Sequence, residues 1–405
     1  MKLAPIINSL LSNDFYKINM AQTVLHQFPT YKTRWALKCR TEGAFFIREA
    51  IDEIREQLEH YCTLRFNADE LSWLKDKHPW LTEDFISHLE FWHPKMSEIE
   101  ILQDVNAPCG MIIETNGTWL NTMMYEMPIL SIVNEVYFAF KYGAGAKDAV
   151  FKERTLQKIA DLKSGKYELG AFSEFGLRRR YSAKMQDWLV KELTIGNVPG
   201  FVGTSNMELA KKYGVKAIGT MAHEFITCIG EGNPAVNPAY ANRFAMEAWV
   251  REFGTLNGIY LTDLLGDEVF LRDFNLTYAT LFGGLRHDSG DPIEWGEKMI
   301  AHYKNLGIDP KTKTLLFSDS LDFARATNIY RHFKDKAKVA FGIGTFLSND
   351  TDVPPLNLVC KVKEVNGYPA CKLSNVPGKV MCADPAYVDY LRRCIDWRLA
   401  HEKEA

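Results

Sequence analysis

From about residue 145 to residue 350 the chain repeats one pattern, and that pattern restricts the fold more than any other feature. Strand-like apolar runs recur near 169–175, 200–204, 215–220, 257–262, 280–286, 313–318 and 338–343. Helical patterns fill most gaps, at 181–193, 206–213, 240–252, 293–306 and 321–334. A strand that returns through a helix to a neighbouring strand lies parallel to it. The expected fold class is therefore α/β, an irregular (β/α) barrel of about seven parallel strands, closed or nearly closed. In such a barrel all C-terminal strand ends share one face, and the loops there build the active site. The first three ends read Glu174-Phe175-Gly176-Leu177-Arg178-Arg179-Arg180, Gly203-Thr204-Ser205-Asn206 and Met221-Ala222-His223-Glu224. The rest read Thr262-Asp263, Arg286-His287-Asp288-Ser289, Ser318-Asp319-Ser320 and Gly342-Ile343-Gly344-Thr345. Polar clusters at every strand end predict an enzyme with its site on that face.

The flanks read differently. They divide the chain into 1–140, an α+β N-terminal domain, 141–350, the catalytic barrel, and 351–405, a C-terminal segment that packs on the N-terminal domain. Asn13 can cap a helix to about His26, and Thr33 to Arg40 alternates as a half-buried strand. Ile47, Ile51, Ile54, Leu58 and Tyr61 share one face of a long helix, and Asn67 and Thr82 suit caps of two more. Met111 to Leu120 reads as a hairpin about Asn116-Gly117, and Pro128 opens a helix. Val359 to Leu373 reads as a second hairpin about Asn366-Gly367, before a closing helix from Pro385 to Trp397.

A net charge of −3 gives no global attraction to nucleic acid or membrane, so anion binding must come from local arginines. The eight cysteines form no CxxC and no histidine motif accompanies them, which argues against zinc and for reduced thiols in the cytoplasm. No secretory leader is expected, because Pro5 and Asn8 break the first apolar run. Met127 to Phe140 is too short for a bilayer and holds Asn134 and Glu135.

The densest corner is Leu285 to Pro292, where a guanidinium, an imidazole, two carboxylates and a hydroxyl precede a helix that Pro292 can open. Arg178, Arg179 and Arg180 precede the helix at 181–193, opposing its dipole by about 0.3–1 kcal/mol each, which a bound anion would offset. Gly342, Gly344 and Thr345 end the last strand, where such barrels often hold a phosphate. The patterns GxxxxGK[ST], HExxH and GxSxG are absent. His223 stands at a strand end beside Glu224, where an imidazole can act as a base or take a phosphoryl group.

The set NDFYK (13–17), EFGLRRR (174–180), GTSN (203–206), MAHE (221–224), LRHDSGDP (285–292), LLFSDSLD (315–322) and FGIGT (341–345) resembles the nicotinate phosphoribosyltransferases, in order and along nearly the whole chain. The departures are Asn13, where the family often has Thr, and Glu174, where it often has Asp. The resemblance implies a two-domain enzyme of the type II phosphoribosyltransferase kind. It implies that nicotinate and phosphoribosyl pyrophosphate become nicotinate mononucleotide and pyrophosphate, coupled to ATP hydrolysis with Mg²⁺, in NAD synthesis. It allows a homodimer with shared sites, in which Tyr16 comes from the second subunit to sandwich the pyridine against Phe175. Arg178 and Arg286 would bind phosphate and carboxylate groups. Asp263 and Asp288 would hold ribose hydroxyls or Mg²⁺, with Asp288 catalytic and the metal ligand. Gly344 and Thr345 would take the 5′-phosphate, Thr204, Ser205 and Ser289 would touch substrate, and His223 would be transiently phosphorylated. The nicotinamide-using relatives carry Asp where Ser205 stands, which points to selectivity there. The alternatives are a related barrel enzyme acting on nicotinamide or quinolinate, and a non-catalytic sensor of phosphate ligands on the same fold.

Overall fold

The computed structural model describes residues 1–107, 109–233, 235–373, 382 and 384–402. Its strands, in chain order, are β1 (Lys32–Cys39), β2 (Ile99–Gln103), β3 (Met111–Thr118), β4 (Ala171–Glu174), β5 (Phe201–Thr204) and β6 (Lys216–Ala217). They continue with β7 (Ile259–Leu261), β8 (Gly284–His287), β9 (Thr314–Phe317), β10 (Lys338–Ile343), β11 (Leu358–Val365) and β12 (Tyr368–Pro369).

Each of the runs expected as barrel strands forms one. They make an all-parallel sheet in the order β6-β5-β4-β10-β9-β8-β7, curled into a half-barrel. The barrel does not close, because β6 and β7 are the sheet edges. They are two and three residues long, and the helices His223–Glu231 and Ala241–Phe253 lie between them in the chain. The inner strands read as near-continuous apolar runs because helices cover the sheet. Leu285, Leu315, Phe317, Phe341 and Ile343 are all buried. Phe317 sits at the centre, with ring centroids 5.4 Å from Trp295, 5.7 Å from Phe333 and 5.9 Å from Phe341. Burying each such ring contributes roughly 1.5–3 kcal/mol, which makes the strand ends a stiff platform.

The second sheet is antiparallel, in the order β12-β11-β1-β3-β2. Here β11 lies beside β1, with Leu37 opposite Cys360 and Ala36 opposite Lys361. The tail therefore completes the N-terminal sheet, and its turn at Asn366 (φ 52) and Gly367 (φ 83) is the hairpin expected from the sequence. The other Asn-Gly pair is not a turn. Asn116 pairs with Arg34 and Gly117 with Thr33, so β3 runs straight through them. The ladder offered by β1 outweighs the local turn preference.

Other boundaries shift for local reasons. The first helix is Phe15–Gln27 with Asp14 at the cap position, while the Asn13 amide donates to the Met124 carbonyl at 2.9 Å instead of capping. Residues Leu276–Leu281 are helical, capped by the Asn275 side chain, so the strand entering the Arg286 corner starts only at Gly284. The helix containing Pro128 starts at Glu126, with the proline in the first turn, where no amide donor is needed. The exit from the Arg286 corner matches the sequence pattern: Asp291 accepts from the Ile293 and Glu294 amides at 2.8 and 2.9 Å, and Pro292 opens the helix Pro292–Asn305.

The N-terminal segment is tied to the barrel face by backbone. The Phe15 amide donates to the Ser205 carbonyl at 2.9 Å, the Met207 amide to the Asn13 carbonyl at 3.2 Å, and Asp14 forms a β-bridge with Asn206. A Cβ on Gly219 would lie 2.7 Å from the Tyr16 nitrogen, so this close approach requires glycine.

Candidate active site

The strand ends open into one cavity of about 770 Å³. Three parts of the chain wall it: the barrel face, the N-terminal segment through Asp14 and Tyr16, and the C-terminal hairpin through Lys361 and Lys372.

Tyr16 and Phe175 line the same cavity. The Phe175 amide donates to the Ile343 carbonyl at 2.8 Å, and its ring lies over Gly342, where an added Cβ would be 2.3 Å from the ring. Glu174 holds this corner. It accepts from Thr204 Oγ1 at 2.6 Å, from the Gly176 amide at 2.6 Å and from Gln186 Nε2 at 3.0 Å. The sequence points to a Tyr16 from a second subunit, and the single chain already places its own Tyr16 on the wall of this cavity. Helix Phe15–Gln27 packs on its own barrel, so one chain carries both rings.

The triple arginine divides. Arg178 and Arg179 line the cavity, and Arg179 is pulled down to about 10 by burial and by Arg178 and Arg40. Arg180 turns away, fully buried, and donates to Gln186 Oε1 at 3.1 Å. Gly344 and Thr345 line the wall beside them, with Thr345 opening the turn of helix Thr345–Ser348, which packs against the Leu177–Arg179 turn.

His223 is the first residue of the helix His223–Glu231. Its Nε2 lies 2.8 Å from Asp263 Oδ1 and 2.8 Å from Lys372 Nζ, and Lys372 also donates to Asp263 Oδ2 at 3.1 Å. Burial, with Lys372 beside it, holds the imidazole below its ordinary value despite the two carboxylates nearby, so the ring is neutral at pH 7. Burial would raise Asp263, but His223 and Lys372 outweigh it and hold the carboxylate well below its usual range. With the ring proton on Nε2, donated to Asp263 in competition with the Lys372 ammonium, the lone pair is left on Nδ1.

Arg286 is engaged on every side. It donates to Ser318 Oγ at 2.9 Å, to Thr220 Oγ1 and the Met221 carbonyl at 3.1 Å, and to Asp288 Oδ1 at 3.0 Å. Burial would raise Asp288, but Arg286 and His223 bring it down to about 2, so it is ionised. The ligand atoms of His223, Asp263 and Asp288 lie within 4.8 Å of one another. Lys372 already balances His223 and Asp263, which makes the trio a poor three-ligand cage. Asp288 on the cavity wall is different: it suits a Mg²⁺ ion held by one or two carboxylates plus waters and phosphate oxygens.

Three expected substrate contacts move. Thr204, Asp263 and Ser289 do not line the cavity. The Thr204 hydroxyl serves Glu174, and Ser289 donates to Asp263 Oδ2 at 2.7 Å, so Asp263 stands behind His223 and orients it. The sequence reading missed Asp14, Lys361 and Lys372, and also a buried cluster in the cavity wall, which Glu126 and Glu224 line. There Lys17 pairs with Glu126 at 2.7 Å and with Glu224, and Trp119 Nε1 donates to Glu224 at 3.2 Å. Burial raises Glu224 to about 7 despite Lys17. Lysines on a distant hairpin carry no local signal, whereas Asp14 and Lys17 lie inside the NDFYK motif and could have been read from it.

Two family models match: the nicotinate phosphoribosyltransferase (NAPRTase) family over residues 171–397, and its N-terminal domain over residues 11–134. A nicotinate phosphoribosyltransferase from Ralstonia nicotianae is 39% identical over 388 residues, 96% of this chain and 98% of that protein. One from Herminiimonas arsenicoxydans is 41% identical over 397 residues, with 96% and 98% covered. The crystal structure of the Vibrio cholerae nicotinate phosphoribosyltransferase superposes with a TM-score of 0.89 at 35% identity, covering 98% of this chain and 95% of that one. A putative nicotinate phosphoribosyltransferase from Saccharomyces cerevisiae gives 0.89 at 32% identity, covering 98% and 100%.

Proposed function

The chain belongs to the nicotinate phosphoribosyltransferase family, and from that premise we propose that it joins nicotinate to phosphoribosyl pyrophosphate, releases pyrophosphate, and couples this to ATP hydrolysis through a phosphohistidine at His223. One observation carries the reading. A single cavity holds two aromatic rings, a row of cations and a neutral, carboxylate-oriented histidine.

Tyr16 and Phe175 stack on the pyridine and present its nitrogen to the anomeric carbon. As that bond forms, positive charge grows on the ribose and negative charge on the departing pyrophosphate. Arg178, Arg179, Lys361 and Lys372 face the second charge, and Gly344 and Thr345 receive the 5′-phosphate. Asp288 would hold Mg²⁺, which would supply positive charge against the departing pyrophosphate. Arg286 fixes Asp288, and Ser289 fixes Asp263. In the ATP half-reaction the Nδ1 lone pair of His223 attacks the γ-phosphorus and ADP leaves. The Nε2 proton, held by Asp263, keeps the ring aligned. The enzyme is thus an ATP-coupled ligase in NAD synthesis. Its cysteines are free of disulfides among the described residues, which suits the cytoplasm. No helix among those residues is long and apolar enough to cross a membrane.

Pyrophosphate release tests the reading: nicotinate with ATP should exceed nicotinate alone and nicotinamide with ATP by at least tenfold. Equal rates with and without ATP would remove the coupling. Two further outcomes follow from the geometry. Gly342→Ala forces the Phe175 ring aside, and overpacking costs about 1–3 kcal/mol, so KM for nicotinate should rise roughly tenfold with a smaller change in kcat. Mixing inactive Tyr16→Ala with inactive Asp288→Ala protein should restore nothing, because one chain carries both groups; recovered activity would instead reveal a homodimer with shared sites.

A further inference from the structure

Asp14 departs from what its position dictates. It stands at the N-cap of helix Phe15–Gln27, yet its side chain makes no cap hydrogen bond. A capping aspartate contributes typically about 1 kcal/mol, so a carboxyl that turns from the helix has another orientation imposed on it. It lines the cavity, two residues before Tyr16, and is only 7% exposed. Apart from each other, its Oδ1 and the buried Ser205 hydroxyl beside it have no hydrogen-bond partner. A buried polar atom without a partner is expensive, and a ligand that supplies the partner removes the penalty.

We propose that Asp14 is a specificity-determining residue: as a neutral carboxylic acid it donates a hydrogen bond to the carboxylate of nicotinate, so nicotinate binds together with one proton from solvent. This rests on the reading that the pyridine lies between Tyr16 and Phe175. An ionised Asp14 would face the substrate carboxylate as a like charge. A neutral one offers a proton that two carboxylate oxygens can share. Nicotinamide does not require that proton, because its amide can accept from the neutral acid through C=O or donate to the ionised one through NH₂.

The surroundings favour protonation. Burial raises the Asp14 carboxyl to about 6, the Ser205 hydroxyl pulls it back, and Glu174, Arg178 and Glu126 act with smaller and opposed effects. Lys17, the cation on the same helix, is engaged by Glu126 and Glu224. Nicotinate then raises the carboxyl further. Affinity should be flat below about pH 6, where Asp14 is already neutral. Above that it should fall by up to tenfold per pH unit, until the bound-state value is reached.

Isothermal calorimetry of the full-length protein with nicotinate and with nicotinamide, between about pH 5.5 and 8, tests this. Buffers of different ionisation enthalpy should report uptake approaching one proton per nicotinate at pH 7 and none per nicotinamide. In Asp14→Asn the amide still donates, so nicotinate Kd should vary less than threefold over the range. Wild-type binding without proton uptake overturns the proposal, and so does a pH slope that survives in Asp14→Asn. The wild-type measurement decides even if the variant does not fold. If Tyr16→Ala and Phe175→Ala both leave nicotinate affinity unchanged, the placement of the ring itself is wrong, and the proposal falls with it.

Discussion

His223→Asn should abolish acid-labile labelling from γ-³²P-ATP and all stimulation of turnover by ATP, while leaving slow, ATP-independent synthesis. Three features of the site set the size of the effect. The imidazole is neutral because burial and Lys372 oppose its charging. Asp263 fixes its orientation at 2.8 Å. The helix that starts at His223 points its N-terminus at any phosphoryl group on the ring, favouring that anion by about 0.3–1 kcal/mol. Asparagine matches the ring in polarity but forms no phosphoramidate. With the covalent route gone, ATP-coupled turnover should fall by at least about 100-fold, the lower end for loss of a positioned catalytic group. Asp263→Asn should weaken labelling less, since it removes the orienting charge and keeps the nucleophile. Undiminished acid-labile labelling in His223→Asn would place the phosphoryl group elsewhere.

The barrel was legible because parallel strands announce themselves as apolar runs that end in polar clusters, and every such run became a strand. The site was legible where its residues stand on strand ends: Phe175, Arg178, His223, Arg286 and Asp288 converge as expected. The misreadings have a common physical origin. Thr204 and Ser289 stand at the right places, but Glu174 and Asp263 take their hydroxyls, and a sequence does not show which of two nearby acceptors wins. Asn116-Gly117 looks like a turn until β1 supplies a ladder along its whole length. Lys361 and Lys372 enter the cavity only because β11 pairs with β1, a contact between residues more than 300 apart in the chain. Long-range pairing is set by the total burial of the fold, not by local preference.

Ser205→Asp should turn the enzyme away from nicotinate. The Ser205 side chain is buried at the end of β5, on the cavity wall beside Asp14. It has no structural duty that aspartate would take over. The cap of the next helix, Met207–Tyr213, is the Asn206 side chain, which accepts from the Glu208 amide at 3.0 Å. The introduced carboxyl would touch that of Asp14, and such a pair shares one proton, so one member stays charged at neutral pH. That charge would face the nicotinate carboxylate. Two like charges about 4 Å apart repel by about 4 kcal/mol at an effective dielectric near 20. Screening and side-chain retreat bring this to roughly 2–3 kcal/mol, which is about 30- to 150-fold. The amide of nicotinamide would meet the same charge as an acceptor for its NH₂. The kcat/KM for nicotinate should therefore drop by at least tenfold while nicotinamide use rises relative to it, in protein whose Tm confirms that it is folded. If the ratio of the two kcat/KM values stays within threefold of wild type, the carboxylate of nicotinate does not lie at Ser205, and selectivity is set by the cationic wall of Arg178 and Lys361 instead.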